Sequence, residues 1–312
     1  MRGVVVQRGE DTITQFLHDP VLLEEVGRAL AGCRRVLDGT AGAGGHARYL
    51  ADHGAEVVAL DRDPAAVEAA THTLAGKGDV RLLDFAAATT DEVIRAFHPD
   101  GILLDLGVSS PQIDDATRGF TFRRGAPLDM RMSGSGMTAE GWLNGSAEAE
   151  LAGAFRDFGD ERRARALARQ IVQRRATRQF TISDDLVGAI RAALGPKSGP
   201  PDFARLFQAV RIAVNGELER LEQALPDLLD ILEPGGVIAV IAYHSGEDRI
   251  VKNAFRDWAK DCICPPEQPI CTCRGKPLGE VLTRRPIEAG EDEVARNPRA
   301  RSARLRAFRK AQ

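Results

Sequence analysis

The 312-residue chain nowhere contains the roughly 18 consecutive apolar residues that a membrane-crossing helix needs. Its opening segment holds an apolar run of only three residues, 4–6, followed by acids. That is too short for a secretory leader, so the expectation is a cytoplasmic protein. A large charge imbalance is missing too. Lys and Arg number 42 against 45 Asp and Glu, a net charge of -3, which argues against a wholly basic nucleic-acid binder. The cysteines number five, an odd count with four crowded into 262–273, and so do not form a secreted disulfide framework. No internal repeat or low-complexity segment occurs. What remains is an ordinary globular composition, 43% hydrophobic and 28% charged, in a chain long enough for one large domain or two modest ones.

The first hundred residues alternate between strand and helix patterns. Short apolar runs at 35–38, 56–61, 79–84 and 100–107 read as strands. Between them, 46–53 and 90–97 read as helices, as does the stretch after Asp63, with Pro64 at its first position. Strands alternating with helices imply a doubly wound, mostly parallel α/β sheet covered on both faces. The rhythm stops after Gly107. Residues 111–212 hold no convincing strand, and their helical patterns include 147–159 and 161–176. It resumes with a helix over 216–236, ending in Pro-Gly-Gly, and a wholly apolar strand over 237–243. Residues 1–110 and 213–312 are therefore expected to form one discontinuous domain, with 111–212 as an inserted helical domain for substrate recognition. At 301–310, RSARLRAFRK alternates arginine with apolar residues, the pattern of a half-buried antiparallel edge strand.

DGTAGAGG (38–45) lies between a strand and a helix, where glycines allow a sharp turn and close approach of a ligand. Asp61 ends the next strand, where a carboxylate can accept both ribose hydroxyls. Gly42, Gly44 and Ala47 also satisfy a loose dinucleotide pattern, so this segment alone admits a nicotinamide-dependent oxidoreductase. Two features favour a methyltransferase loop. Asp38 precedes the glycines, where it could pair with an ammonium, and the third strand ends in Asp84-Phe85, where a ring could hold an adenine or simply pack in the core.

Two basic segments stand out against the near-neutral average. Residues 156–178 hold eight Arg against three acids, and 296–310 hold seven Lys or Arg and no acid. Such clusters suit phosphate contact, or equally a solvated helix face and an arginine-trimmed strand. Cys262-x-Cys264 and Cys271-x-Cys273 flank a proline-rich loop. Four thiolates there would make a closed structural zinc site, and free thiols are the alternative. Cys33 reads as a small apolar residue.

Longer motifs carry a closer likeness. HDPVLLEEV (18–26), DGTAGAGGHA (38–47), DGILLDLGVSSPQIDDATRGFTFRRGAPLDMRM (100–132), FQAVRIAVNGELE (207–219), HSGEDRIVK (244–252) and NPRARSARLRA (297–307) resemble the ribosomal RNA small subunit methyltransferase H family across nearly the whole chain. The resemblance implies methyl transfer from S-adenosylmethionine to the exocyclic N4 of a cytosine in the decoding region of 16S rRNA. It implies a partner in the small ribosomal subunit, not DNA or a membrane. It also implies a methyltransferase domain interrupted by a helical insert. Its cofactor contacts would fall on Gly44, Gly45, His46, Asp61, Phe85, Asp105 and Gln112. Asp105 would hold the methionine ammonium or accept from the target amine. His244 would orient the base or relay a proton, unless it merely closes a strand-to-helix turn; Ser245, Glu247 and Asp248 suit a helix start. His18 and Asp19 would cap the first helix or touch the cofactor. Gly246, Tyr243, Ala41 and Ala43 depart from the family's usual residues. A non-catalytic ribosome-assembly factor retaining the fold is the remaining alternative, and it would not need Gly44, Gly45, Asp61 and Asp105 together.

Overall fold

A computed structural model describes residues 20–312 other than 266, 267, 269 and 271. Its centre is an eight-stranded sheet with strands β1 (Arg35–Asp38), β2 (Glu56–Asp61), β3 (Asp79–Leu82), β4 (Gly101–Asp105), β5 (Val237–Ala242), β6 (Gly279–Val281), β7 (Ile287–Glu288) and β8 (Arg304–Lys310). The order across the sheet is β3-β2-β1-β4-β5-β8-β6, and β7 also pairs with β8. The first five strands run parallel, while β8 runs antiparallel to β5 and to β6.

Successive residues of the central strands feed opposite faces, as the period of two requires. Leu37, Ile102, Leu104, Ile238 and Val240 pack on one face with the helix Glu217–Ile231. Val36, Leu103, Val237, Ala239 and Ile241 pack on the other with Leu22, Val26, Ala47 and Leu50. With both faces covered, strands such as β5 are apolar along their whole length. The helix Pro64–Leu74 starts as its sequence dictates. Asp63 accepts the Ala65 N–H at 3.1 Å and Pro64 fills a position that needs no donor.

A third hydrophobic cluster draws only on residues 120–214, with Phe155, Phe180, Leu167 and Ile190 fully buried in it. Its helices are Ala139–Gly145, Glu148–Asp157, Ala164–Arg175, Ser183–Leu194 and Pro200–Asn215. The only strand-like pairing there among the described residues is the bridge between Pro127 and Ile182.

Several sequence expectations need correction. The third strand stops at Leu82, because Asp84 accepts the Ala86 N–H and opens a 3-10 turn, Phe85–Thr90. Asp91 then caps a helix at Glu92–Phe97, so the expected helix over 90–97 begins later. Strand β4 ends at Asp105 and the helix expected over 216–236 ends at Ile231. The largest correction concerns β8. It is antiparallel, as expected, but not an edge strand, because the chain returns through β6 and β7 to pair with its outer side. Four of its seven residues are buried, Arg306 among them. Among the described residues no helix is long and apolar enough to cross a membrane.

Candidate active site

Asp38, Asp61 and Asp105 end β1, β2 and β4, and the loops beyond them wall a cleft of about 950 Å³. It opens where the strand order reverses between β1 and β4, the place where open α/β sheets hold ligands.

The glycine loop is stitched to both neighbouring strands. Gly39 donates to the Leu103 carbonyl at 2.9 Å and Ala41 to the Leu60 carbonyl at 2.7 Å. Gly42 takes a positive φ of 52° and donates its N–H to Asp61 Oδ2 at 2.9 Å, while Asp61 Oδ1 accepts the Asp63 N–H at 2.9 Å. Burial raises the Asp61 pKa against these two bonds. A Cβ added to Gly42 would stand in the open cleft, its nearest neighbour Ser109 Cβ at 3.9 Å.

The two glycines assigned to cofactor contact differ. Gly45 lines the cleft beside Pro20. Gly44 does not line it. A Cβ there would approach Ala70 Cα at 2.9 Å, so this glycine serves the close packing of two helices. Asp38 is also absent from the wall. It is almost fully buried and accepts the Thr40 N–H at 3.0 Å, so the expected pairing with a ligand ammonium is not what its geometry offers. Burial pushes its carboxyl up to about 6, opposed by His46 and the Thr40 N–H.

Asp105 sits at the centre of the wall. Its Oδ1 accepts the Tyr243 hydroxyl at 2.8 Å, and its Oδ2 stands 3.6 Å from His46 Nδ1. His46 Nε2 lies 2.9 Å from the Val21 carbonyl, which can only accept, so that nitrogen carries a proton. Nδ1 therefore faces Asp105 either as the second N–H of an imidazolium or as a bare lone pair. Burial raises the Asp105 carboxyl, opposed by His46 and Tyr243, and pushes the Tyr243 phenol well up. The Asp105 N–H donates to Thr40 Oγ1 at 2.6 Å, tying β4 to the glycine loop.

Phe85 opens the 3-10 turn and lines the cleft; Gly39 lets it approach, since a Cβ there would stand 3.0 Å from Phe85 Cβ. Gln112 lines the cleft and is buried, with Oε1 accepting the Ser109 N–H at 3.0 Å and Nε2 donating to Asp63 Oδ2 at 2.7 Å. Arg118 donates to the same Asp63 oxygen at 2.8 Å and to the Arg131 and Met132 carbonyls.

A further wall of the cleft, absent from the sequence expectations, comes from residues 207–219. Arg211 forms a two-pronged pair with Glu217, both contacts at 2.9 Å, and both residues line the cleft. Asn215 accepts from Arg62 at 2.7 Å and from the Met132 N–H at 3.0 Å, and donates to the Met130 carbonyl at 2.7 Å. It thereby locks the helical region to the end of β2. The signal lies in Arg211, Asn215 and Glu217, the polar residues of the otherwise apolar run 209–218. Arg62 Nε and Arg299 Nη1 are buried without a hydrogen-bond partner, and both side chains belong to the cleft wall. A buried donor left unpaired is expensive unless a ligand oxygen meets it.

His244 is not part of the wall. It caps the helix Ser245–Trp258, its Nδ1 accepting the Glu247 N–H at 3.4 Å while Glu247 Oε2 accepts the His244 N–H at 3.3 Å and the Tyr243 N–H at 2.8 Å. His244 Nδ1 is taken up by the cap, while its Nε2 is buried without a hydrogen-bond partner, 3.2 Å from Glu247 Oε1. Glu247 lines the cleft instead. Its burial favours the neutral form, but His244, Arg211 and the Tyr243 N–H outweigh that and hold its carboxyl below the usual range. His18 and Asp19 lie outside the described residues.

The two basic segments separate. In 296–310, Arg306 pairs with Asp248 at 2.7 and 3.2 Å, Arg309 with Glu280 and Arg299 with Asp114. Lys310 caps the Glu217–Ile231 helix through the carbonyls of Leu229 and Leu232. Those four side chains hold structure, while Arg296 and Arg301 of the same run are exposed. In 156–178, Arg162, Arg165 and Arg174 are exposed. Cys33 donates to the Asp100 carbonyl at 3.2 Å, and burial pushes its thiol up to about 11. Cys262, Cys264 and Cys273 cluster away from the cleft, and Cys271 lies outside the described residues.

A ribosomal RNA small subunit methyltransferase H from Gemmatimonas aurantiaca is 55% identical over 304 residues, covering 96% of this chain and 96% of its own length. The protein of the same name from Heliobacterium modesticaldum is 46% identical over 310 residues, covering 95% and 99%. A putative rRNA-methylase structure from Clostridium thermocellum covers 94% of this chain and 98% of its own at 11% identity and a TM-score of 0.41, too remote to bear on function. Residues 15–311 match the MraW methylase family, and the chain belongs to that family.

Proposed function

We propose that this protein transfers a methyl group from S-adenosylmethionine to the exocyclic N4 of a cytosine in the decoding region of 16S rRNA. The substrate would be met in the cytoplasm, within the small ribosomal subunit. The carrying observation is the cleft itself. At the switch point of the sheet it joins a ribose-ready carboxylate, Asp61, to a partly desolvated carboxylate, Asp105, in a chain that belongs to a methylase family. Relatives named for rRNA methylation support the RNA acceptor.

The residues fit the cofactor. Gly42 leaves open the volume a side chain would fill, and each Asp61 oxygen keeps a lone pair beyond its backbone bond for a ribose hydroxyl. Phe85 offers a ring face. Gly45, His46 and Gln112 shape the remaining wall, and Gly44 acts from behind by packing two helices. Once bound, S-adenosylmethionine supplies a methyl carbon made electrophilic by its sulfonium.

The protein's task is then positioning, worth up to about 7–11 kcal/mol in well-aligned reactions. The cytosine amine is a poor nucleophile, because its lone pair is delocalised into the ring. An oxygen accepting one of its N–H bonds localises that pair. Asp105 is the acceptor in reach of the cleft, held by Tyr243 and backed by His46, and it can alternatively bind the methionine ammonium. In the second case nearby carbonyls face the amine. Residues 111–212 are proposed as the inserted substrate-recognition domain. Their own hydrophobic cluster and the exposed Arg162, Arg165 and Arg174 support that reading.

The test is mass mapping of methylated nucleosides in 16S rRNA from a strain lacking the protein, paired with tritiated methyl transfer from S-adenosylmethionine to its small-subunit particles. Loss of one N4-methylated cytosine, restored by purified protein, supports the reading. An unchanged methylation map with no transfer rejects it.

A further inference from the structure

We infer that Cys262, Cys264 and Cys273 form the thiolate cage of a structural site for a zinc-class divalent cation, at the far end of the helix whose start walls the cleft. The three sulfurs lie within 4.8 Å of one another. Cys262 and Cys273 Sγ are 3.7 Å apart. Four sulfurs placed about 2.3 Å from a tetrahedral zinc are separated by about 3.8 Å, so the observed edge matches a metal cage. It does not match a disulfide, whose sulfurs would be about 2.05 Å apart.

The surroundings favour thiolates over thiols packed as small apolar groups. Cys262 is exposed, and Ile263 and Ile270 in the same loop are 53% and 73% exposed, so the described residues of this loop are not held in a hydrophobic core. The Ile263 N–H donates to Cys273 Sγ at 3.4 Å. Amides directed at sulfur stabilise its anionic form, the form that binds metal. Arg274 and Lys276 supply positive charge in the same segment, and Arg274 also donates to the Trp258 and Lys260 carbonyls at the end of the helix Ser245–Trp258.

The site explains how a long irregular segment keeps its shape. Between Trp258 and Gly279 the described residues contain no helix or strand, a length that usually needs a dedicated constraint. Leu278 nevertheless donates to the Trp258 carbonyl at 2.7 Å, and β6 enters the sheet in register with β8. A cation gripping Cys262, Cys264 and Cys273 closes this loop and delivers β6 to the sheet. None of the three residues lines the cleft, so the ion is closed off from the chemistry.

The experiment uses the full chain, purified under reducing conditions with zinc and then passed over a chelating resin. About one zinc per chain is expected by elemental analysis, falling at least about tenfold in a Cys262→Ser/Cys273→Ser variant. Because that variant could fail to fold, cobalt(II) is also added to metal-stripped wild type. Intense tetrahedral bands with thiolate charge transfer support the site. Zinc below about a tenth of an equivalent, together with the weak spectrum of octahedral cobalt, overturns it. A mass short by two hydrogens, showing a disulfide among these cysteines, overturns it as well.

Discussion

The two sides of the sheet treat buried acids differently. On the β2-β1-β4 side, Asp38, Asp61 and Asp105 receive backbone N–H or hydroxyl groups and have no arginine partner. Burial raises all three. On the β5-β8-β6 side, buried Asp248 is clamped by buried Arg306. Asp61 and Asp105, answered by neutral dipoles and lining the cleft, keep lone pairs for a ligand, whereas Asp248, answered by a guanidinium, is committed to holding the sheet together. The same contrast explains why Arg306 of β8 turns inward onto Asp248 while Arg162 and Arg165 face outward.

Removing acids from each side of the sheet separates the two roles. Asp61→Ala and Asp105→Ala should each lower methyl transfer by about 100-fold or more, as when a preorganised charge-stabilising group is lost. Asp61→Ala should also lose cofactor binding in a thermal-shift titration with S-adenosylmethionine. Either variant at full activity would contradict its assignment. Asp248→Ala leaves Arg306 buried and unpaired, and should cost about 3–5 kcal/mol in urea unfolding. A loss below about 1 kcal/mol would mean that this side is no more committed to architecture than the other.

Asp38 offers a test by pH. Its carboxyl stands at about 6 in the folded chain against an ordinary 3.8, so the folded state holds its proton more tightly than the unfolded one. Stability therefore falls as pH rises between about 4 and 6, by up to about 3 kcal/mol for this group. Asp38→Asn removes that slope. The variant should exceed wild type in urea unfolding at pH 7, with the advantage vanishing near pH 4; a difference independent of pH would count against the shift.

Smaller effects sharpen the picture. His244→Ala should cost about 1 kcal/mol through the lost cap, and His244→Asn, a good cap, should restore most of it. Neither should alter the pH profile of methyl transfer, and a missing limb in His244→Asn would return this residue to catalysis. Arg162→Ala should change stability by less than about 0.5 kcal/mol while lowering the salt dependence of RNA binding by about one unit of slope. An unchanged slope would remove Arg162 from the RNA surface.

Much of the site was legible in the chain because it is local. Gly42, Asp61 and Asp105 follow strands whose apolar runs announce them, and the Asp63-Pro64 start of a helix needs only its neighbours. The other wall was not. Arg211, Asn215 and Glu217 reach the cleft only because the helix Pro200–Asn215 folds back on the end of β2, where Arg62 meets Asn215 across 153 positions of sequence. His244 follows a strand as a catalytic histidine could, yet its Nδ1 accepts an amide three residues on.

The order of residues alone determined the parallel α/β core, the break in rhythm after Gly107 and the loop that faces a ligand, since these depend on periodicity and on backbone freedom at glycine. Whether Arg306 faces solvent or Asp248, whether Gly44 touches a ligand or a helix, and whether three cysteines meet were decided by tertiary contacts. Pairing in space selects among partners that sequence spacing leaves equivalent, and burial then sets the strength of each charge.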